Sequence, residues 1–152
     1  MLNVGDKAPD FNVMSDSGQR IRLRDFRGKK VVLYFYPKDD TPGCTKEACA
    51  FRDHQKDFSK VKAVILGVSL DPLKSHQAFK TKYALPFPLL SDENAAVSKA
   101  YGVYKKKNMY GRVYWGIVRS TFVIGPKGRI QAIFPRVKVD GHTRELLDAL
   151  KA

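Results

Sequence analysis

The 152-residue chain carries two cysteines, and both lie in the segment Pro37-Lys-Asp-Asp-Thr41-Pro42-Gly43-Cys44-Thr45-Lys46-Glu47-Ala48-Cys49. Sulfur chemistry is what this spacing offers. A thiol is a poor nucleophile at its free pKa of about 8.5, but a cysteine in the first turn of a helix faces unpaired backbone N–H groups and the positive end of the helix dipole. Pro42 and Gly43 set a tight helix start at which backbone amides can approach a small ligand closely. Cys44 therefore reads as an activated thiolate. The bland alternative is a buried apolar filler, and a Pro-Gly-Cys start directly after an apolar run argues against it. Cys49, on its spacing alone, reads as a structural thiol, and only its partnership with Cys44 raises it. Thr41 has the residue type of a helix N-cap.

The three histidines add nothing to this chemistry. His54 stands ten residues after Cys44 on the same expected helix, about 15 Å along its axis, out of reach as a general base. Cys44, Cys49 and His54 also fail as a metal set, because neighbours five apart on a helix are separated by about 7.5 Å along the axis. His76 and His142 read as helix-surface or capping residues. No metal site is expected.

The elements around the segment follow from periodicity. Val31 to Tyr36 and Ala63 to Ser69 are short continuous apolar runs, the pattern of central parallel strands covered on both faces by helices. Between them Gly43 to Phe58 reads as one helix, since Cys44, Ala48, Phe51 and Phe58 share a face. Asp71-Pro72 opens a helix running to about Tyr83, with Asp71 as cap and Pro72 at the first helical position. A further helix is expected from Asp92 or Glu93 to Tyr101, closed by Gly102. Ser120 to Ile124 and Arg129 to Phe134 flank a Gly-Pro-Lys-Gly turn and read as an antiparallel hairpin. A last helix covers His142 to Lys151, and a small hairpin near Phe11 to Leu23 precedes everything. This is an α/β fold of thioredoxin-like order: a central mixed sheet in three layers with an added N-terminal β-hairpin.

Length and 43% hydrophobic residues suit a single domain over residues 1–152. The strongly apolar stretch Ala63 to Val68 is far short of the roughly 20 residues that cross a bilayer. Residues Met1 to Asp10 lack the basic, apolar and small-residue pattern of a secretory leader, so a cytoplasmic location and no membrane partner are expected. Two cysteines are too few for a secreted disulfide framework. The 28 Lys and Arg against 15 Asp and Glu leave a formal charge of +13. The basic clusters, Arg20 to Lys30 and Lys105 to Arg112, come without a nucleic-acid motif, and the first has no alternating aromatic residues to stack bases. A solvated surface is the preferred reading, with no specific nucleic-acid partner.

The segment from Pro37 to Cys49 resembles the active-site segment of the peroxiredoxins, and most closely the bacterioferritin comigratory or Q-type subgroup. The likeness extends from Gly5-Asp-Lys-Ala-Pro-Asp-Phe11 through Ser69-Leu-Asp71 to Arg119-Ser-Thr-Phe122. The resemblance implies an atypical two-cysteine thiol peroxidase. Cys44 is then the peroxidatic residue and Cys49 the resolving one, closing an intramolecular disulfide. Thr41, Pro37 and Arg119 complete the peroxide pocket, and Arg119 rests on the resemblance alone. It further implies no cofactor beyond the protein's own sulfurs, hydrogen peroxide and organic hydroperoxides as substrates, a thioredoxin-like dithiol as reductant, and a monomer. Tyr110 to Trp115 is aromatic enough for an interface or a cover over the pocket. A protein thiol–disulfide oxidoreductase on the same fold is disfavoured, since that chemistry wants Cys-x-x-Cys. A basic nucleic-acid-binding module is the remaining alternative.

On a helix, residues i and i+5 have Cα atoms roughly 8.6 Å apart, with side chains about 140° apart in azimuth. A disulfide tolerates roughly 7 Å. The pairing implied by the resemblance therefore requires the helix to unwind, leaving a loop over Thr41 to roughly Arg52.

Overall fold

The computed structural model describes residues 1–151. Its centre is a five-stranded sheet. The strands are β3 (Lys30–Phe35), β4 (Ala63–Ser69), β5 (Leu89–Ser91), β8 (Ser120–Ile124) and β9 (Ile130–Phe134), in the order β5-β4-β3-β8-β9. β3, β4 and β5 run parallel, and β8 and β9 run antiparallel to their neighbours. The expected mixed sheet and its two central strands are present.

The β3 side chains alternate between two cores. Val32, Tyr34 and Tyr36 join a cluster with Cys44, Ala48 and Phe51 of α1 (Pro42–Asp53), Phe58 of α2 (Gln55–Lys60), Phe79 of α3 (Leu73–Tyr83), and the leucines of α5 (His142–Lys151). Val31, Leu33 and Phe35 face a second cluster with Val97 of the short helix α4 (Ala96–Ala100), Tyr101 and the N-terminal residues Ala8 and Phe11. One face of the sheet thus carries four helices. The other carries α4 and the N-terminal arm, whose hairpin pairs β1 (Asn12–Met14) with β2 (Arg20–Arg22).

Several expectations need correction. The single helix over 43–58 is broken at His54, which caps α1 and starts α2 at φ −106°, ψ 14°. The break keeps both Phe51 and Phe58 fully buried, with rings 5.7 Å apart. Asp71 does not cap α3: Pro72 is the N-cap, and the Asp71 carboxylate accepts from the Ser69 hydroxyl and the Asp39 N–H. The helix expected from 92 or 93 shortens to α4, because the buried Asp92 carboxylate accepts from the N–H groups of Val97 and Ser98 and so ties a turn ahead of it. Two strands, β6 (Tyr104–Met109) and β7 (Arg112–Ile117), form an unforeseen hairpin that pairs only with itself. Met109, Tyr110, Val113, Tyr114 and Trp115 are exposed on it. Among the described residues no helix is long and apolar enough to cross a membrane.

Candidate active site

β3 ends at Phe35, and the chain passes through residues 36–41 into α1. Cys44 is the third residue of that helix and is 2% exposed. Its neighbours in the first turn are Pro42, which has no N–H, and Gly43. The pairing of β3 with β8 sets Phe35 opposite Ser120, so the residue before Ser120 emerges beside the start of α1. That residue is Arg119. Its Nη2 donates to Cys44 Sγ at 3.2 Å and its Nη1 to Glu47 Oε1 at 2.6 Å. A Cβ on Gly43 would stand 3.2 Å from the same Nη2, so a side chain here would press on the guanidinium.

The guanidinium is nearly covered, yet the Glu47 carboxylate and the Cys44 sulfur keep it cationic against the cost of its desolvation. Glu47 follows Cys44 by one helical turn and is itself buried. Burial pushes its carboxyl up to about 7, although Arg119 pulls in the other direction. Its second oxygen, Oε2, and the hydroxyl of buried Tyr34 have no hydrogen-bond partner among the described residues. Tyr34 is raised well above an ordinary phenol by burial, with the charges of Glu47 and Cys44 adding to it. Lys107 of β6 also reaches the field of the site: burial, then Arg119, lower its pKa.

Of the sequence-derived site residues, the structure joins Cys44 and Arg119 directly. Pro37 and Thr41 belong to the loop that leads into α1, and Thr41 is the N-cap of that helix, although its hydroxyl donates to the Lys38 carbonyl at 2.9 Å and makes no cap bond. Cys49 is partly exposed, further along the helix, and both cysteines are free. His54 is exposed beside Asp57. The expectation for the other two histidines is overturned. His76 and His142 are 0% and 1% exposed, because each has hydrogen-bond partners at both ring nitrogens inside the protein.

Sequence reasoning gave no role to Glu47, Tyr34, Asp39 or His76. Glu47 was within reach of it, since an acid three residues after Cys44 falls on the same helical face. Asp39, Asp71 and His76 have acceptor atoms within 4.8 Å of one another, close enough to be considered for a metal ion. Those atoms are hydrogen-bonded among themselves and to Tyr36, Ser75 and Ser69, so the trio forms a polar network.

A sequence profile of the AhpC/TSA family matches residues 4–133. A putative peroxiredoxin of Coxiella burnetii is 54% identical over 149 residues, covering 98% of this chain and 99% of that protein. The peroxiredoxin Bcp of Bacillus subtilis is 47% identical over 150 residues, covering 99% and 96%. Among solved structures, the bacterioferritin comigratory protein of Xanthomonas campestris superposes with a TM-score of 0.91 at 42% identity, covering 99% of this chain and 96% of that one. The peroxidoxin BcpB of Mycobacterium tuberculosis superposes at 0.89 with 35% identity, covering 99% and 97%. With whole-length relatives this similar in sequence and fold, the chain belongs to the AhpC/TSA family and is a peroxiredoxin, a thiol peroxidase of the bacterioferritin comigratory type.

Proposed function

We propose that the chain, acting as one domain, reduces hydroperoxides at Cys44. The observation that carries this reading is the Arg119 guanidinium, bonded at once to the Cys44 sulfur and to Glu47. In the first step the Cys44 thiolate attacks one peroxide oxygen. A sulfur–oxygen bond forms and the oxygen–oxygen bond breaks. The sulfur is oxidised by two electrons to the sulfenic acid, and the other oxygen departs as hydroxide or alkoxide and takes a proton. Arg119 and the free N–H groups of the first turn of α1 are the donors suited to that negative charge.

Cys49 then resolves the intermediate. Its thiolate attacks the sulfenic sulfur, the S–OH bond breaks, hydroxide leaves and takes a proton to become water, and a Cys44–Cys49 disulfide remains, which a thioredoxin-like dithiol reduces by exchange. Organic as well as hydrogen peroxide is included, supported by the Xanthomonas campestris relative, whose structure is described in terms of alkyl peroxide reduction activity. We take the protein to work as a monomer in the cytoplasm.

The test is a peroxidase assay coupled to a recycling dithiol, run alongside intact-mass analysis. Cys44→Ser should abolish turnover. Cys49→Ser should stop at the sulfenic acid. Peroxidase activity above background in Cys44→Ser would remove the nucleophile from this reading.

A further inference from the structure

His76 lies on α3, with no exposed surface. Both its ring nitrogens face atoms that accept hydrogen bonds. Nδ1 stands 2.7 Å from Oδ2 of Asp39, and Nε2 stands 2.9 Å from the carbonyl oxygen of Leu90. A backbone carbonyl has no proton to give, so Nε2 carries one. The two Asp39 oxygens already accept from the Tyr36 hydroxyl at 2.6 Å and the Ser75 hydroxyl at 2.8 Å, so Asp39 meets Nδ1 as an acceptor. The Tyr36 hydroxyl is also 3.5 Å from Nδ1, but its short contact commits its proton to Asp39. A ring that donates from both nitrogens is an imidazolium.

The groups facing this ring come from every element around it. Asp39 and Tyr36 come from the segment between β3 and α1, Asp71 from the β4–α3 connection, Ser75 from its own helix and the Leu90 carbonyl from β5. Burial opposes the charge, but the bond and charge of Asp39, the Leu90 carbonyl and the charge of Asp71 outweigh it, so the ring titrates above an ordinary histidine.

Asp39 is two residues from Thr41 and five from Cys44. The short run between them is pinned at successive points. The Asp39 N–H donates to Asp71 at 2.8 Å. Asp40, in the left-handed region at φ 56°, accepts from Lys82 and from the Tyr83 hydroxyl. The Thr41 carbonyl accepts from Thr45 N–H as the first bond of α1. The Asp40 ties are exposed to water, where they are weak, whereas the His76–Asp39 pair is sealed. The buried pair is therefore the firm attachment of the loop.

We propose that His76 is a positioning residue for the peroxide site: as a buried imidazolium it ties the loop of residues 37–41 to α3 and β5, and peroxide attack at Cys44 slows when the ring loses its proton. This rests on Cys44 being the peroxidatic residue. Deprotonation leaves one ring nitrogen and an oxygen, both acceptors, facing each other at hydrogen-bond distance inside the protein, an arrangement that relaxes only by separating them. Whether the lone pair then faces Asp39 or the Leu90 carbonyl, the tie between the loop of residues 37–41, α3 and β5 is what loosens.

Two readouts on the reduced protein test this. Nitrogen NMR of the histidines, with His76→Gln for assignment, should find both ring nitrogens of His76 protonated at neutral pH and give the midpoint at which one is lost. The second-order rate of Cys44 oxidation by hydrogen peroxide, measured in single turnover, should rise as the thiol ionises and then fall at the His76 midpoint. Asp39→Asn should move that fall to lower pH by about one unit or more, since the opposite charge is gone. His76→Gln should abolish the fall and lower the neutral rate by about ten-fold. A ring that is neutral at neutral pH overturns the proposal, as does a rate that holds its plateau while the ring loses its proton. Both decisive measurements use the unaltered protein, so a poorly folding variant does not blunt them. Loss of the Cys44 assignment would be separately visible, as rapid oxidation persisting in Cys44→Ser.

Discussion

Replacing Ala48 with glycine should speed the resolving step and leave the peroxide-reducing step nearly unchanged. Ala48 lies within α1 between the two cysteines and is fully buried. Glycine in a helix interior is about 1 kcal/mol less favourable than alanine, and a buried carbon lost from the core costs about 0.8 kcal/mol more. Both costs fall on the formed helix and neither on the unwound segment. Their sum, about 1.8 kcal/mol, corresponds to about a 20-fold shift toward the unwound form at 1.36 kcal/mol per decade. If Cys49 attacks only after unwinding, disulfide formation should accelerate by up to that factor, and overoxidation of Cys44 to the sulfinic acid should fall in competition. Rapid quenching, thiol alkylation and intact mass separate the sulfenic and disulfide species in a single turnover. Disulfide formation that is unchanged or slower, with a normal peroxide step, would refute unwinding as a step on the path.

The structure also limits how far the helix opens. The loop expected from the sequence reaches roughly Arg52, but Phe51 is fully buried, with its ring 4.6 Å from Tyr34 and 5.7 Å from Phe58. Exposing such a side chain costs about 1.5–3 kcal/mol. Cys49 lies two residues before it, so unwinding over 43–50 frees both sulfurs and leaves the aromatic anchor in place. Hydrogen exchange in the oxidised protein should therefore quicken at residues 45–49, while the His54 N–H, bonded to the Ala50 and Phe51 carbonyls, stays protected. Equal protection in both redox states would contradict this.

Arg119→Lys should keep a cation near the sulfur but lose the fork that reaches Cys44 and Glu47 together, slowing hydrogen peroxide reduction by about ten-fold or more; an unchanged second-order rate would take Arg119 out of the reaction. Glu47→Gln should make the resolving step less steeply dependent on pH between acid and neutral conditions, leaving the dependence that Cys49 ionisation supplies. A single-turnover pH series reads this directly. The basic surface should bind duplex DNA weakly, with loss of binding as salt is raised, and tight sequence-selective binding near physiological salt would contradict the solvated-surface reading.

The parts legible in the sequence were those written in local pattern. The continuous apolar runs of β3 and β4 gave two parallel strands, and α5 shows the bounds its periodicity predicted. The parts that were not legible depend on partners distant in the chain. β5 has three residues and is a strand only because β4 is beside it. In β6 the run Lys105-Lys106-Lys107 looks like solvated charge until the register with β7 makes it an edge of a hairpin. Arg119 could be picked from 28 basic residues only by resemblance, since its approach to Cys44 is made by the β3–β8 pairing across 75 positions. The misreading of His76 has the same origin. Nothing near it in sequence announces Asp39, which is 37 positions away, or the Leu90 carbonyl.

Burial of Glu47 ties the two halves of the catalytic cycle to pH. In the formed helix its carboxyl is pushed up to about 7 from an ordinary 4.5, chiefly by desolvation. Unwinding α1 returns it to water and to the ordinary value. Between these values the formed helix therefore holds a proton that the unwound segment releases, and the unwound form gains as pH rises through this window. The difference is worth on the order of 3 kcal/mol once the window is crossed, which is comparable to the helix bonds that unwinding breaks, at about 1 kcal/mol each. The same carboxylate that orients Arg119 on the sulfur thus weakens the helix that holds them both. At neutral pH the active arrangement can form around a peroxide, and little free energy stands between the sulfenic acid and the open segment in which Cys49 reaches it. A fully apolar residue at position 47 would hold the helix more firmly, and on this reasoning it would make Cys44 easier to overoxidise and slower to recycle.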